Sequence, residues 1–308
     1  MNIPFTINDI KQQYRNPLLE EGVVGAHGDP NCMRIHWDII TICDLHCSYC
    51  YARASEQWNE LPSKDHINAN LELIKQIDKS VEVILLGGEP TLHPHYFYIL
   101  DQLNSFQNII STAIISNAQK KFNKEWIQKH NQYNNFFFNI TVHPKDSNIN
   151  IIKDAIMLCD KSKLVVNIMM LGPKFDLVIT DMINFCLSHN VTIKVNIPFH
   201  PTNTFQFMKS TELYKEWISK FADKFERYLY FELVDGRTFK LNDIDVYLNG
   251  LNKFTGWQCS NNNWEISVKS KEIRRCCKGP STPGSMSCVL PACTCQGLLS
   301  AEKFNTNN

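Results

Sequence analysis

From residue 33 onward, short apolar runs alternate with segments whose apolar residues recur every three or four positions. The stretch 33–40 is β-branched and aromatic and reads as a strand. The runs 81–86, 108–115, 136–142, 164–170 and 191–197 read as further strands. Between them the spacing predicts helices over 63–78, 95–105, 123–131, 149–160 and 176–189, with a longer one over 211–227. In the first helix Ser63 is placed to cap, and Ile67, Leu71, Ile74 and Ile77 share a face. Apolar strands alternating with amphipathic helices predict a parallel sheet with helices packed outside it. Six strand–helix units fall short of the eight that close a TIM barrel.

The flanks differ. Residues 1–32 are mixed and polar and read as an N-terminal arm with room for one short helix. Tyr228–Val234 and Arg237–Leu241 flank Asp235-Gly236, a pair suited to the positive φ angles of a tight hairpin turn. Further on, Trp264, Ile266 and Val268 alternate, Lys269–Lys271 would turn, and Ile273 resumes the pattern, which predicts a second hairpin. The expected organisation is an arm (1–32), an α/β core (33–227) and an extension (228–308) whose last residues, 303–308, fray.

Composition narrows the class. Lys+Arg and Asp+Glu both number 31, which argues against a mainly electrostatic nucleic-acid binder while leaving room for a local basic groove. No signal peptide and no stretch of membrane-spanning length is evident, so a cytoplasmic protein off the membrane is expected. Of twelve cysteines, three lie in Cys43-Asp44-Leu45-His46-Cys47-Ser48-Tyr49-Cys50 and six lie after residue 258. In a reducing compartment such clusters read as metal ligands rather than disulfides. Cys43, Cys47 and Cys50 follow the first core strand, so they leave its C-terminal end on one loop. Three converging thiolates can bind a metal centre and leave one coordination position without a protein ligand. A closed zinc site would need a fourth ligand, and His46 is the only local candidate, awkwardly set between two cysteines.

This Cys-x3-Cys-x2-Cys loop, with aromatic Tyr49 before its third thiol, resembles the signature of the radical S-adenosylmethionine (radical SAM) family. The resemblance implies a partial (β/α)6 TIM-type barrel. It also implies that Cys43, Cys47 and Cys50 hold three irons of a [4Fe–4S] cluster whose fourth iron binds S-adenosylmethionine (SAM). Gly87-Gly88-Glu89-Pro90, ending the next strand 37 residues beyond Cys50, matches the family's second motif, which meets the SAM amino group. Two glycines there permit close backbone approach. Ser116-Asn117, Thr141 and Asn167 stand at or near later strand ends and resemble the family's further SAM contacts, although polar residues at strand ends also serve as caps. His143, beside Pro144, could face the same cleft or be a loop residue.

The tail resembles the SPASM and twitch extensions of this family, in which a cysteine, a hairpin and a second cysteine precede a later group. Cys259, Cys276, Cys288 and either Cys293 or Cys295 are the implied ligands of one auxiliary [4Fe–4S] cluster. Cys277 is left over, because successive strand residues point to opposite faces. By ligand type alone zinc would serve as well. The resemblance implies an oxygen-sensitive enzyme that draws electrons from a flavodoxin or ferredoxin, forms a 5′-deoxyadenosyl radical and abstracts hydrogen. The substrate would be a ribosomally made peptide or, alternatively, a small molecule such as a sugar, nucleotide or cofactor precursor. A less usual group transfer and a non-catalytic iron–sulfur or zinc protein are the remaining readings.

Overall fold

A computed structural model describes residues 10–15, 32–50, 60–133, 135–196, 216–217, 219–221, 228–233, 235–242, 249, 251, 258–259, 263–268, 271–275, 286–287 and 303–304. In chain order its strands are β1 (Ile10–Arg15), β2 (Cys32–Ile40), β3 (Ser80–Gly87), β4 (Ile109–Ser116), β5 (Phe136–Val142), β6 (Leu164–Met169), β7 (Thr192–Asn196), β8 (Tyr228–Leu233), β9 (Thr238–Asn242), β10 (Gln258–Cys259), β11 (Asn263–Ile266), β12 (Arg274–Arg275), β13 (Met286–Ser287) and β14 (Lys303–Phe304). Its α-helices are α1 (Lys64–Lys75), α2 (Tyr96–Ser105), α3 (Lys124–Lys129), α4 (Ile149–Leu158) and α5 (Asp176–Ser188). The chain divides into two compact units.

The larger unit comprises 34–210 and 265–273. Within an eight-stranded sheet of order β12-β11-β2-β3-β4-β5-β6-β7, β2 to β7 follow one another in sequence order as six parallel strands of one open α/β partial barrel. The expected fold class is therefore observed. Order and direction follow from the helices: a parallel strand needs a crossover, and each amphipathic segment supplies one. Ser63 caps α1 by accepting the His66 N–H, and Ile67, Leu71 and Ile74 are buried. Asn123 and Asn148 cap α3 and α4 in the same way. The sheet core is apolar, with Ile35, Val83, Leu85, Ile114, Ile140, Val166 and Ile168 fully buried. Arg34 on β2 pairs with buried Glu82 on β3, adding a polar lock to the register. Because the strands are parallel, the loops after Ile40, Gly87, Ser116, Val142 and Met169 leave along one edge.

The smaller unit holds a β1-β8-β9 sheet and a β13-β10-β14 sheet. The described part of the N-terminal arm, Ile10–Arg15, is thus a strand antiparallel to β8 and not a helix. β8 and β9 form the first expected hairpin, with Phe231 opposite Phe239. Its turn differs from a two-residue type: Gly236 N–H donates to the Leu233 carbonyl, Leu233 N–H to the Arg237 carbonyl, and Gly236 has φ of +86°. That is the three-residue turn with a glycine bulge, in which only the glycine needs positive φ. The tail expected to fray pairs instead at Lys303–Phe304, where β14 lies antiparallel to β10. The register also sets Cys259 opposite Met286. The span of the second expected hairpin runs from β11 to β12, and Trp264, Ile266 and Val268 are buried as their alternation implied. Most of 211–227, and Cys276, Cys277, Cys288, Cys293 and Cys295, lie outside the described residues, as does the side chain of Cys259.

Candidate functional site

The three-cysteine loop leaves β2 at Ile40 and is tied down at once. Thr41 N–H donates to the Glu60 carbonyl at 3.0 Å, and Glu60 N–H returns to Thr41 Oγ1 at 2.7 Å. Cys43, Cys47 and Cys50 are all free thiols, with Cys47 buried and the others half-buried. Cys50 N–H closes a turn onto the Cys47 carbonyl at 3.2 Å. Burial, with Glu89, Asp44 and Cys50 nearby, pushes the Cys43 thiol up to about 11. Burial and the Asp146 carboxylate push Cys47 up to about 12, with a smaller push from Cys50. Cys50 is thus close enough to oppose ionisation of both other thiols. Cys43 and Cys47, which resist ionising, need a bound cationic centre to become thiolates, and the three-cysteine donor set suits an iron–sulfur cluster. Among the described residues no three His, Cys, Asp or Glu groups converge as a single-ion cage. A multi-iron cluster asks for something else, one thiolate at each of several irons.

Gly87-Gly88-Glu89-Pro90 ends β3 beside that loop. The glycines bring the chain close to its own backbone: a Cβ on Gly87 would stand 1.9 Å from the Ile40 carbonyl oxygen. One on Gly88 would stand 2.3 Å from that of Ile42 and 2.4 Å from that of Thr41. In the space so freed, Gly88 N–H donates to Ile40 O at 2.7 Å and Glu89 N–H to Ile42 O at 2.8 Å. The second motif therefore clamps the strand and loop that carry the first.

Glu89 is buried, and its carboxylate is used inside the protein. Oε1 accepts Thr91 N–H (3.1 Å), Thr91 Oγ1 (2.7 Å) and Ser116 Oγ (2.8 Å), and Oε2 accepts Asn117 N–H (2.8 Å). Burial pushes its carboxyl above the usual range while these four donors pull it back. The Ser116 hydroxyl is likewise spent, donating to Glu89 and accepting Ala118 N–H. Asn117 instead reaches the cysteine loop, donating to Asp44 Oδ1 at 2.7 Å. Thr141 and Asn167 are register partners on β5 and β6, both buried near the same edge.

Tyr49 adds a tie that the sequence left open. Its hydroxyl meets His143 Nδ1 at 2.6 Å, and the rings stack at 5.9 Å. His143 thus belongs with the cysteine loop, and burial lowers its pKa to about 4, leaving the ring neutral. Asp146, three residues on, lies against Cys47. Asp44, Ala118, Gln119 and Asp146 were not singled out from the sequence. The only available signal was position, since each stands within a few residues of a motif or a strand end.

The Radical SAM superfamily matches residues 37–206, more than half of the chain. No curated protein matches. Among solved structures, Streptococcus suis SuiB bound to S-adenosylmethionine is 16% identical with a TM-score of 0.52, over 83% of this chain and 63% of that one. The enzyme anSMEcpe with bound AdoMet is 11% identical at a TM-score of 0.47, over 61% of this chain and 62% of that one. BtrN in complex with AdoMet and 2-DOIA is 16% identical at a TM-score of 0.38, over 44% and 56%. This chain spans less than two thirds of the length of each. At such identities the SuiB likeness shows a common fold.

Proposed function

The chain belongs to the radical SAM superfamily, and on that footing we propose that it cleaves SAM reductively and takes a hydrogen atom from a substrate at the strand-end edge. The observation that carries this reading is the clamp between the two motifs, in which Gly88 and Glu89 hydrogen-bond to the backbone leading into Cys43. An electron carrier has no use for such a turn beside its cysteines. Cys43, Cys47 and Cys50 would each hold one iron of a [4Fe–4S] cluster, leaving one iron for SAM. When bound, that cluster supplies the electron that breaks the sulfonium bond and releases the 5′-deoxyadenosyl radical.

The chain's own residues then do three things. Glu89 joins the ends of β3 and β4 through Thr91, Ser116 and Asn117, so that the loops along the edge hold one geometry. The Tyr49–His143 pair joins the cysteine loop to the end of β5. Gly87, Gly88 and Pro90, with Thr141 and Asn167, would line the SAM position.

A ribosomally made peptide is the proposed substrate, on the strength of the tail's likeness to SPASM and twitch extensions; a small molecule is the second reading. Cys259, Cys276, Cys288 and Cys293 or Cys295 would hold an auxiliary [4Fe–4S] cluster. The pairing of Cys259 with Met286, two residues ahead of Cys288 in the chain, supports the first and third of these. A flavodoxin or ferredoxin would serve as reductant. No helix among the described residues is long and apolar enough to cross a membrane.

The test is anaerobic reconstitution with iron and sulfide, then dithionite and SAM. The parent should form 5′-deoxyadenosine and Cys50→Ala should form none. Failure of the parent to do so, with Cys50→Ala no different, would favour a non-catalytic metal protein. For the tail, a Cys43/Cys47/Cys50→Ala triple variant should keep about four irons per chain; zinc in their place would overturn the auxiliary cluster.

A further inference from the structure

Asn117 lies one residue past β4 and far along the chain from Cys43, yet its side chain reaches the cysteine loop. Its Oδ1 accepts the Gln119 backbone N–H at 3.0 Å, which settles which end of the amide is oxygen. The Nδ2 end carries two hydrogens and faces two acceptors, Asp44 Oδ1 at 2.7 Å and Cys43 Sγ at 3.7 Å. The amide is not free to swing away. Asn117 N–H is held by Glu89 Oε2 at 2.8 Å, and its carbonyl accepts Gln119 Nε2 at 3.1 Å. Gln119 is held in turn, its Oε1 accepting the Asn148 N–H that opens α4. Between them Ala118 is buried and left-handed, with φ of +55°. Alanine disfavours that conformation, and such strain persists only where the surroundings over-determine it.

Cys43 and Cys47 are therefore in different surroundings. Cys43 Sγ faces two N–H donors, Leu45 N at 3.4 Å and Asn117 Nδ2, with the Asp44 carboxylate 4.0 Å away and itself held by Asn117. Cys47 stands against the Asp146 carboxylate, whose Oδ2 has no hydrogen-bond partner. A donor to a ligand sulfur draws electron density from it and favours the more negative, reduced state of an iron–sulfur centre. We propose that Asn117 is a positioning residue for the iron–sulfur centre, donating a hydrogen bond to the Cys43 sulfur that raises the centre's reduction potential. This rests on the function proposed above. Glu89 contributes at one remove, since it holds the Asn117 backbone in place.

Two substitutions separate the sulfur contact from the scaffold. Asn117→Ala removes the donor. Asn117→Asp keeps the shape and the acceptor for Gln119 N–H but sets an oxygen against the sulfur. Full-length parent and variants are reconstituted anaerobically, analysed for iron and sulfide, and titrated electrochemically by electron paramagnetic resonance. The signal that SAM alters identifies the centre at Cys43. Both variants should keep parental iron content and titrate at more negative potential, Asn117→Asp further than Asn117→Ala. If the parent signal responds to SAM while either iron-bearing variant titrates where the parent does, the inference is wrong and the proposed function stands. Loss of iron from both variants would also overturn it, since that is what a purely structural residue gives. A parent signal untouched by SAM would sink the proposed function and this inference together.

Discussion

Replacing Gly88 by alanine puts the coupling of the two motifs to a direct test. The new Cβ would lie 2.3 Å from Ile42 O and 2.4 Å from Thr41 O, where real Cβ atoms do not come within 3.0 Å. Both obstacles are backbone, so no side chain can rotate out of the way. Retreat from 2.3 to 3.0 Å lengthens the 2.8 Å bond from Glu89 N–H to Ile42 O to about 3.5 Å, the margin of a hydrogen bond. The neighbouring 2.7 Å bond from Gly88 N–H to Ile40 O is strained with it. Each bond is worth about 1 kcal/mol net, and a buried backbone group left unpaired costs about 1–3 kcal/mol more. The expected loss is therefore about 2–4 kcal/mol, placed where the chain enters Cys43. Urea unfolding followed by tryptophan fluorescence reads the stability. Iron and sulfide per chain after anaerobic reconstitution reads the loop. A Gly88→Ala protein with the parent's urea midpoint and iron content would refute the clamp. Gly87→Ala should be at least as damaging, because its Cβ would meet Ile40 O at 1.9 Å and its φ is +141°.

Two further expectations concern protons. In the metal-free chain Cys43 and Cys47, pushed up to about 11 and about 12, should hold on the order of a hundredfold and a thousandfold less thiolate at pH 8 than an unburied cysteine, and react with iodoacetamide correspondingly more slowly. Peptide mapping by mass spectrometry checks this, and labelling at the rate of a free thiol would contradict it. His130 is buried, contacts the Trp126 carbonyl oxygen through Nδ1 and Tyr96 OH through Nε2, and is lowered from 6.5 to about 4 by desolvation. The unfolded chain thus takes up a proton near pH 6.5 that the folded chain refuses until about pH 4. Stability from this group is full above pH 6.5 and lost as pH falls towards 4, by about 2 kcal/mol at pH 5. His130→Phe should flatten that slope between pH 7 and pH 5; an unchanged slope would place the acid sensitivity elsewhere.

Periodicity and residue spacing were enough for the six core strands, the crossover helices and the two motifs. Strand and helix periods are local, and a cysteine triplet or a Gly-Gly-Glu-Pro turn is contiguous in the chain. The functions of individual site residues were less legible. Glu89 and Ser116 read as SAM contacts from their likeness to the family's motifs, and the sequence does not show that the fold turns the two side chains towards each other. The two glycines read as a place of close backbone approach, but the sequence does not show that Ile40, Thr41 and Ile42 are the backbone they approach. The turn at Gly236 depended on whether one or two residues adopt positive φ, which Asp-Gly alone does not specify.

What the chain's own order determined is the architecture and the kind of chemistry, since both are written in patterns a few residues long. What only the tertiary structure decided is which polar groups support the site from within. Asn117 meets Cys43, and Tyr49 meets His143, across separate strands of one parallel edge. Such pairings depend on register and on the direction of each side chain, and these are set only when the strands pack and buried donors must find acceptors.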